Sequence, residues 1–155
     1  MNSFAEIFML SLVPTFEGRY AIVYGMGRGY PLWETLFAAA LGVLLLSLIL
    51  PLLLPYIDGL MLWLEGTFLR KIARLYLHYI NRVRRKAHPY VERWGFLGLT
   101  VFVAIPLPGT GVWTGALAAY LFGIEKKTAV PALILGGLLS MAITLVPSLG
   151  LFGAS

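Results

Sequence analysis

The chain has 155 residues, of which 59% are hydrophobic and 12% charged, and its net charge is +5. A soluble domain normally carries about 25% charged residues, so this chain has too few charges to cover a surface exposed to water. The composition excludes an ordinary soluble domain and predicts an all-α integral membrane protein. The absence of cysteine also excludes disulfides and thiolate chemistry.

The first apolar segment runs from Phe4 to Met26, and Pro14, Glu17 and Arg19 interrupt it. Each arm is about ten residues, or about 15 Å as a helix, and cannot cross a hydrocarbon core of about 30 Å. No basic residue precedes this segment, so we expect no secretory signal peptide. The pattern predicts a broken apolar hairpin.

A charge-free run from Leu36 to Ile57 follows and predicts the first membrane-spanning helix. We expect Pro51 and Pro55 to kink this helix or to end it early, because proline cannot donate a helical hydrogen bond.

The third segment, Leu60 to Lys86, has two faces at helical spacing. Its apolar face holds Leu64, Phe68, Ile72, Leu75, Tyr79 and Val83; its basic face holds Lys71, Arg74, His78, Arg82 and Arg85. This pattern predicts an amphipathic helix at the bilayer surface, with anionic lipid headgroups as partners. The alternative is a connector that only lies on the membrane.

Basic residues cluster between Arg70 and Arg93, a stretch that holds eight of the twelve in the chain. In a membrane protein such a cluster marks the cytoplasmic side, so we interpret it that way rather than as a nucleic-acid site. His78 and His88 lie ten residues apart, on different faces of a helix, so we expect no metal site.

The fourth segment, Trp94 to Ile124, is broken by Pro106, Pro108, Gly109 and Gly111, and its arms are again too short to span. The run from Thr128 to about Leu149 predicts a second spanning helix. The pattern therefore predicts one membrane domain, with repeat one at 1–57, a basic connector at 58–93 and repeat two at 94–155. Tyr24 and Tyr120 lie 96 residues apart, as do Gly27 and Gly123.

Two topologies compete for the broken segments. If both are re-entrant hairpins, ten basic residues lie inside and the halves are inverted repeats, as in many secondary transporters. If both span, eight basic residues lie inside and three outside, and Glu17 and Arg19 sit within the membrane at a cost of about 2.5–3.5 kcal/mol each. Charge favours the re-entrant topology, which implies a polar cavity where the hairpin tips meet.

The candidate site lies at these two tips. Glu17 is a candidate to carry a proton or attract a cation, and Arg19 to hold an anionic headgroup; the alternative is a structural ion pair. In the second tip, Thr110 could cap the following helix or contact a ligand, and Gly109 and Gly111 would expose backbone groups.

The glycines have an alternative role, since Gly111-x-x-x-Gly115 also fits close helix packing. The apolar segments contain no Ser/His/Asp set, paired-carboxylate motif or phosphate-binding loop, so we expect neither an enzyme nor a cofactor.

Two motifs carry a family resemblance: Pro14-x-x-Glu17-x-Arg19-x-Ala21-Ile22, and Pro106-x-Pro108-Gly109-Thr110-Gly111-x-Trp113-x-Gly115. They resemble the small multidrug export family of prokaryotic membrane proteins, a distant relative of the DedA group. The resemblance implies facing hairpin tips formed by Pro14, Pro106, Pro108 and Trp113, and export of small molecules. DedA relatives are associated with flipping of lipid phosphates and carry arginines in the second hairpin region, where this chain is neutral.

Three functions remain as hypotheses. The first is a transporter with a midplane site between the hairpin tips, coupled to protons through Glu17. The second is a lipid flippase that uses Arg19, and the third is a membrane scaffold whose hairpins are structural. We expect a homodimer or larger assembly, because two spanning helices form a thin wall. We also expect a prokaryotic plasma membrane location, with the basic segment cytoplasmic and both termini outside.

Overall fold

The computed structural model of this chain describes residues 2–14, 16–107 and 110–153. Every regular element in these ranges is an α-helix. The helices are α1 (Ser3–Ser11), α2 (Glu17–Gly27), α3 (Leu32–Glu65), α4 (Arg70–Trp94), α5 (Phe96–Ala104), α6 (Val112–Leu121) and α7 (Lys126–Phe152).

The two long helices, α3 and α7, are the two in the described ranges that are long and apolar enough to cross a membrane. With 34 and 27 residues, they measure about 51 and 40 Å at a rise of about 1.5 Å per residue. They approach each other closely at Gly137, where an added Cβ would lie 2.5 Å from Val43. The absence of a side chain at Gly137 lets these helices pack as the centre of the fold.

Helix α3 continues through Pro51 and Pro55 to Glu65, so the expected early end of this helix is wrong. Leu50 and Leu54 are buried beside the prolines and anchor the helix against its neighbours. Ending the helix there would leave several backbone groups without partners in apolar surroundings, whereas each proline removes one hydrogen bond. The predicted boundary between 57 and 58 therefore falls inside α3.

The amphipathic helix is α4, and it begins at Arg70 rather than at Leu60. Its buried face consists of Ala73, Ile80, Val83, Ala87 and Val91. Four of the residues assigned to the apolar face (Phe68, Ile72, Leu75 and Tyr79) are exposed. The basic side chains are exposed as well, so α4 presents one face to the protein and an apolar and a basic face outward.

Each broken segment consists of two short helices, α1 and α2 in the first and α5 and α6 in the second. Their lengths of 9, 11, 9 and 10 residues leave each one too short to cross a core of about 30 Å. The first break contains Pro14 and the second contains Pro106. Helices α1 and α2 pack on α3, and helices α5 and α6 pack on α7. In addition, α2 packs on α7 and α6 packs on α3, which brings the two breaks together.

The same turn ends the second arm of both broken segments. Gly29 and Gly123 have left-handed backbones, with φ of 75° and 67°. The next residues, Tyr30 and Ile124, donate their N–H groups to the carbonyl five residues earlier, over 2.9 Å in both cases. This is the hydrogen bond of a Schellman helix end. The equivalent turns are 94 residues apart, not the 96 that the tyrosine and glycine pairs suggested.

Candidate functional site

Glu17 begins α2 and is almost fully buried, with 3% of its surface exposed. Its carboxylate crosses to the second broken segment and accepts hydrogen bonds from the backbone N–H groups of Val112 (2.9 Å) and Trp113 (3.1 Å). Its φ of 51° makes it the one non-glycine residue with a left-handed backbone in the described part of the chain. Such strain persists only where the surrounding contacts hold it in place.

The start of α6 explains this contact. The first N–H groups of a helix have no partner inside the helix, and Gly111 at the N-cap has no side chain to supply one. The Glu17 carboxylate supplies the acceptors and places negative charge at the positive end of the helix dipole. The expectation that Thr110 caps α6 is therefore wrong, because Glu17 caps it from the other half of the chain.

Gly111 is required for this arrangement. A Cβ at this position would lie 2.3 Å from Glu17 Oε2, and the φ of 107° is one that side chains with L chirality rarely adopt. The glycine makes room for the carboxylate at the start of α6. This role differs from the helix packing proposed for the Gly111-x-x-x-Gly115 pattern.

Gly115 does serve helix packing: an added Cβ would lie 2.3 Å from Val103 and 3.0 Å from Leu133. The two glycines of the pattern thus have different functions, one at the site and one between helices.

Arg19 is also buried, with 2% of its surface exposed. Its Nη1 donates to the Ile105 carbonyl (3.0 Å) and to Thr110 Oγ1 (2.8 Å), and its Nη2 donates to the Thr110 carbonyl (2.7 Å). Ile105 is the C-cap of α5, so the guanidinium lies at the negative end of that helix. The ring of Tyr20 lies 5.0 Å from the guanidinium carbon and adds a cation–π contact.

Thr110 holds the second break in shape. Its hydroxyl lies 2.5 Å from the Ile105 carbonyl and 2.7 Å from the Leu107 carbonyl, and its single proton can be donated to one of them at a time. The same oxygen accepts from Arg19. Thr110 therefore links the guanidinium to the backbone of the break.

Trp113 also joins the two breaks. Its indole Nε1 donates to the Leu12 carbonyl over 3.1 Å, just after the end of α1. Glu17 and Arg19, by contrast, make no ion pair with each other among the described residues. Both charges are matched by groups of the second broken segment, so the hypothesis of a Glu17–Arg19 pair is wrong.

The site lies between the two long helices, away from their ends. A Cβ on Gly18 would lie 2.8 Å from a Val43 methyl and 3.0 Å from Met141 Sδ, so the start of α2 is held between α3 and α7. Val43 is about 17 Å from the start of α3, which is about 51 Å long, and Met141 is about 22 Å from the start of α7, which is about 40 Å long.

The structure brings together five of the predicted site residues: Glu17, Arg19, Thr110, Gly111 and Trp113. Pro14 is exposed in the first break, and Pro106 is partly exposed in the second. Pro108 and Gly109 lie outside the described residues.

Backbone groups of the second tip were expected at the site, but their contact with Glu17 and Arg19 and the role of the Leu12 carbonyl were not. The signal available for Val112 was its position directly after Gly111, at a helix start without a capping side chain.

At the meeting point of the tips, Glu17 and Arg19 contact the second break directly. A cavity of about 180 Å³ lies beside this contact, lined in part by Lys86 and Thr110. A larger cavity of about 530 Å³ lies farther along α6. The described residues contain no group of three side chains able to hold a metal ion.

The family described as "Putative small multi-drug export protein" matches residues 17–143, which is most of the chain and includes every residue of the site from Glu17 to Trp113. Comparisons with curated proteins and with solved structures found no match.

Proposed function

This chain belongs to the small multi-drug export family, and on that premise we propose that it is a membrane transporter whose site lies between two re-entrant hairpins. The observation that carries the proposal is the contact of Glu17 and Arg19 with the second break, between the two long helices and away from their ends. Buried ionisable groups at membrane depth are costly and are typical of transport pathways. Transport rather than enzymatic catalysis is the function that these contacts favour.

The ends of the first broken segment support a re-entrant path. Glu6, near the start of α1, accepts hydrogen bonds from Tyr24, near the end of α2, and from Tyr30 (2.6 Å), just before α3. Ser3 also donates to Glu34 at the start of α3 (2.5 Å). A segment whose two ends meet beside the start of the same helix enters and leaves on one face.

The packing of the helices supports an inverted repeat. In each half, two short helices precede a long one, and the turn before the long helix repeats after 94 residues. The packing is reciprocal, because α2 contacts α7 and α6 contacts α3. Inverted repeats with broken helices at the midplane are common in secondary transporters.

The charge pattern supports an orientation in a prokaryotic plasma membrane. With both hairpins re-entrant, the basic face of α4 and the pair Lys126 and Lys127 are cytoplasmic, and both termini are outside. The exposed apolar and basic faces of α4 would then lie on the inner surface, next to anionic headgroups.

Glu17 is the residue that we assign to proton coupling. Its carboxylate holds the start of α6 only while it can accept two N–H groups, and protonation removes one acceptor oxygen and the charge. Protonation would therefore weaken the link between the two halves. Exchange between a linked and an unlinked state is the kind of bistable change that transport requires.

The test uses bacterial cells without their main efflux pumps that produce either the wild-type chain or a variant. Accumulation of ethidium, a cation, and of pyrenebutanoate, an anion, is measured with and without a protonophore. We expect wild-type cells to accumulate less of one probe than control cells, and the protonophore to remove that difference. Glu17→Gln should make export insensitive to the protonophore or abolish it, whereas the exposed Glu65→Gln should leave it unchanged.

The same assay separates the alternatives. A lipid flippase should depend more on Arg19, so Arg19→Ala would stop flipping of a fluorescent phospholipid while neither probe is exported by the wild type. A scaffold should tolerate changes at both Glu17 and Arg19. Normal export by inserted Glu17→Gln and Arg19→Ala variants would refute the proposed site.

A further inference from the structure

The cavity of about 530 Å³ lies between the second half of α3, the end of α6 and the start of α7. Its volume is within the range of about 300–1,000 Å³ that is usual for small-molecule sites. Its walls are apolar and are formed by small or rigid residues, among them Pro51, Pro55, Ala116 and Ala119. Small side chains on α6 leave the space open, so the cavity suits the apolar body of a drug-sized molecule.

The mouth of the cavity is charged. Glu125, Lys126 and Lys127 line it, and the side chains of all three are exposed. Lys126 and Lys127 present two adjacent cations here, whereas the second nearby carboxylate, Asp58, accepts hydrogen bonds from Tyr76 and from Tyr120 of the cavity wall. The combination of apolar walls with a cationic mouth matches an amphipathic molecule with a negative group.

The inner end of the cavity approaches the Glu17 site. Ala116 lies one helical turn, or about 6 Å, beyond Val112, whose N–H group binds the Glu17 carboxylate. A molecule that fills the cavity therefore lies one turn from the contact that joins the two halves.

The equivalent place in the first half is filled. The position 94 residues before Ala119 is Gly25, where an added Cβ would lie 2.7 Å from Thr35 and 2.8 Å from Ile7. The side chains of α1 and α3 occupy the space that stays open beside α6 and α7. The 530 Å³ cavity thus lies at the end of the fold that carries Lys126 and Lys127.

We propose that this cavity binds an amphipathic carboxylate, with its apolar body between α3 and α6 and its carboxylate at Lys126 and Lys127. This inference rests on the proposed function, and it names the substrate class of that transporter. Binding at this end corresponds to loading from the cytoplasmic side.

The Glu17 carboxylate indicates the chemistry of the next step. Its two oxygens bind one N–H group each at the start of α6, so this helix start is already fitted to a carboxylate. A substrate carboxylate that moves from Lys126 and Lys127 along the length of α6 to its start, about 15 Å, would meet the same two donors and compete with Glu17 for them. Such competition would release Glu17 and couple substrate movement to a weaker link between the two halves.

Binding is tested with pyrenebutanoate and the purified chain in phosphatidylcholine nanodiscs, by fluorescence anisotropy against empty nanodiscs. Pyrenebutanol and pyrenebutylammonium have the same apolar body and serve as neutral and cationic controls. We expect the carboxylate to bind about tenfold more tightly than either control, because charged hydrogen bonds contribute more than neutral ones.

Two variants locate the site. Ala119→Phe fills the cavity and should abolish binding of the carboxylate. Replacing both Lys126 and Lys127 by Gln, which changes only exposed side chains, should weaken it about fivefold, as expected for exposed charges. The matched control replaces Lys71 and Arg74, equally exposed on α4, by Gln, and should have no effect.

The outcomes separate this inference from the proposed function. Equal binding of all three probes, or a loss of affinity as large in the α4 control as in the Lys126 and Lys127 variant, would overturn the carboxylate site. Export of ethidium that depends on Glu17 would then still support the transporter. Specific binding of pyrenebutanoate without any export would keep the site and refute the transporter.

Discussion

Gly111→Ala tests whether the start of α6 is shaped around the Glu17 carboxylate. The added Cβ would lie 2.3 Å from Glu17 Oε2 and 2.9 Å from its Cδ, too close for the carboxylate to stay. The carboxylate would lose one or both hydrogen bonds, worth about 1.5–3 kcal/mol each for a charged acceptor. The backbone at φ 107° adds a further cost of about 1–3 kcal/mol.

We therefore expect Gly111→Ala to lower the free energy of unfolding by about 3–5 kcal/mol, a large part of the stability of a typical domain. The measurement is unfolding in mixed detergent micelles as the fraction of dodecyl sulfate is increased, followed by tryptophan fluorescence. Midpoints of this transition compare variants of one chain under the same conditions.

Two other glycines provide matched controls. Gly123 also has a positive φ, of 67°, but no atom lies within 4 Å of an added Cβ, so Gly123→Ala reports the backbone cost alone, about 1–2 kcal/mol. Gly150 lies in α7 with open space around it, and alanine there should stabilise the helix by about 0.5–1 kcal/mol.

A double variant isolates the contact with Glu17. In a Glu17→Ala background no carboxylate opposes the new methyl group, so Gly111→Ala should cost only its backbone strain, about 1–3 kcal/mol. The reasoning is refuted if Gly111→Ala is no more destabilising than Gly123→Ala, or if its cost is unchanged in the Glu17→Ala background.

Three further predictions concern the link between the breaks, the topology and the assembly. Trp113→Phe removes the hydrogen bond to the Leu12 carbonyl and should cost about 1–2 kcal/mol in the same unfolding assay; an unchanged midpoint would show that this bond contributes nothing. In intact cells, an impermeant thiol reagent should label Leu151→Cys but not Lys126→Cys, and the reverse result would refute the re-entrant topology. Cross-linking in membranes and light scattering in detergent should give a homodimer, and a monomer by both methods would contradict it.

Much of the helical arrangement could be predicted because it depends on composition and on breaks in apolar runs. Charge-free runs predicted α3 and α7, and the prolines and glycines around Pro14 and Pro106 predicted two segments of short helices. The effect of Pro51 and Pro55 could not be predicted in the same way. A proline interrupts a helix when water can satisfy the freed carbonyls, whereas tightly packed apolar neighbours favour continuing the helix.

The bounds of α4 were missed for a related reason. An apolar face at helical spacing continues through Leu64 and Phe68 into α4, although the chain turns between Glu65 and Arg70. Periodicity alone cannot detect such a turn. Gly66 follows the end of α3, and Gly95 follows the end of α4. The φ of 55° at Gly95 is one that favours glycine.

At the site, the residues and the exposed backbone groups of the second tip could be predicted, but the contact between them could not. Glu17 and Arg19 stand out because charge is rare in an apolar segment. Their partners are backbone groups of Ile105 and Val112, which any residue type could supply and which lie 86 and 95 positions away. No pattern of side chains encodes such a contact, because it arises only when two breaks meet in the folded chain.

The spacing of Glu17 and Arg19 explains why they act on the second break and not on each other. Two residues apart at the start of a helix, their side chains point in different directions and cannot pair. Each instead reaches one end of the same break: Arg19 the last turn of α5, and Glu17 the first turn of α6. Each charge meets the helix end of opposite polarity, so both arms of the second segment are held by one short stretch of the first. Neutralising Glu17 would release α6 while Arg19 keeps its hold on α5, so a single proton would remove one of the two links between the halves and weaken their contact.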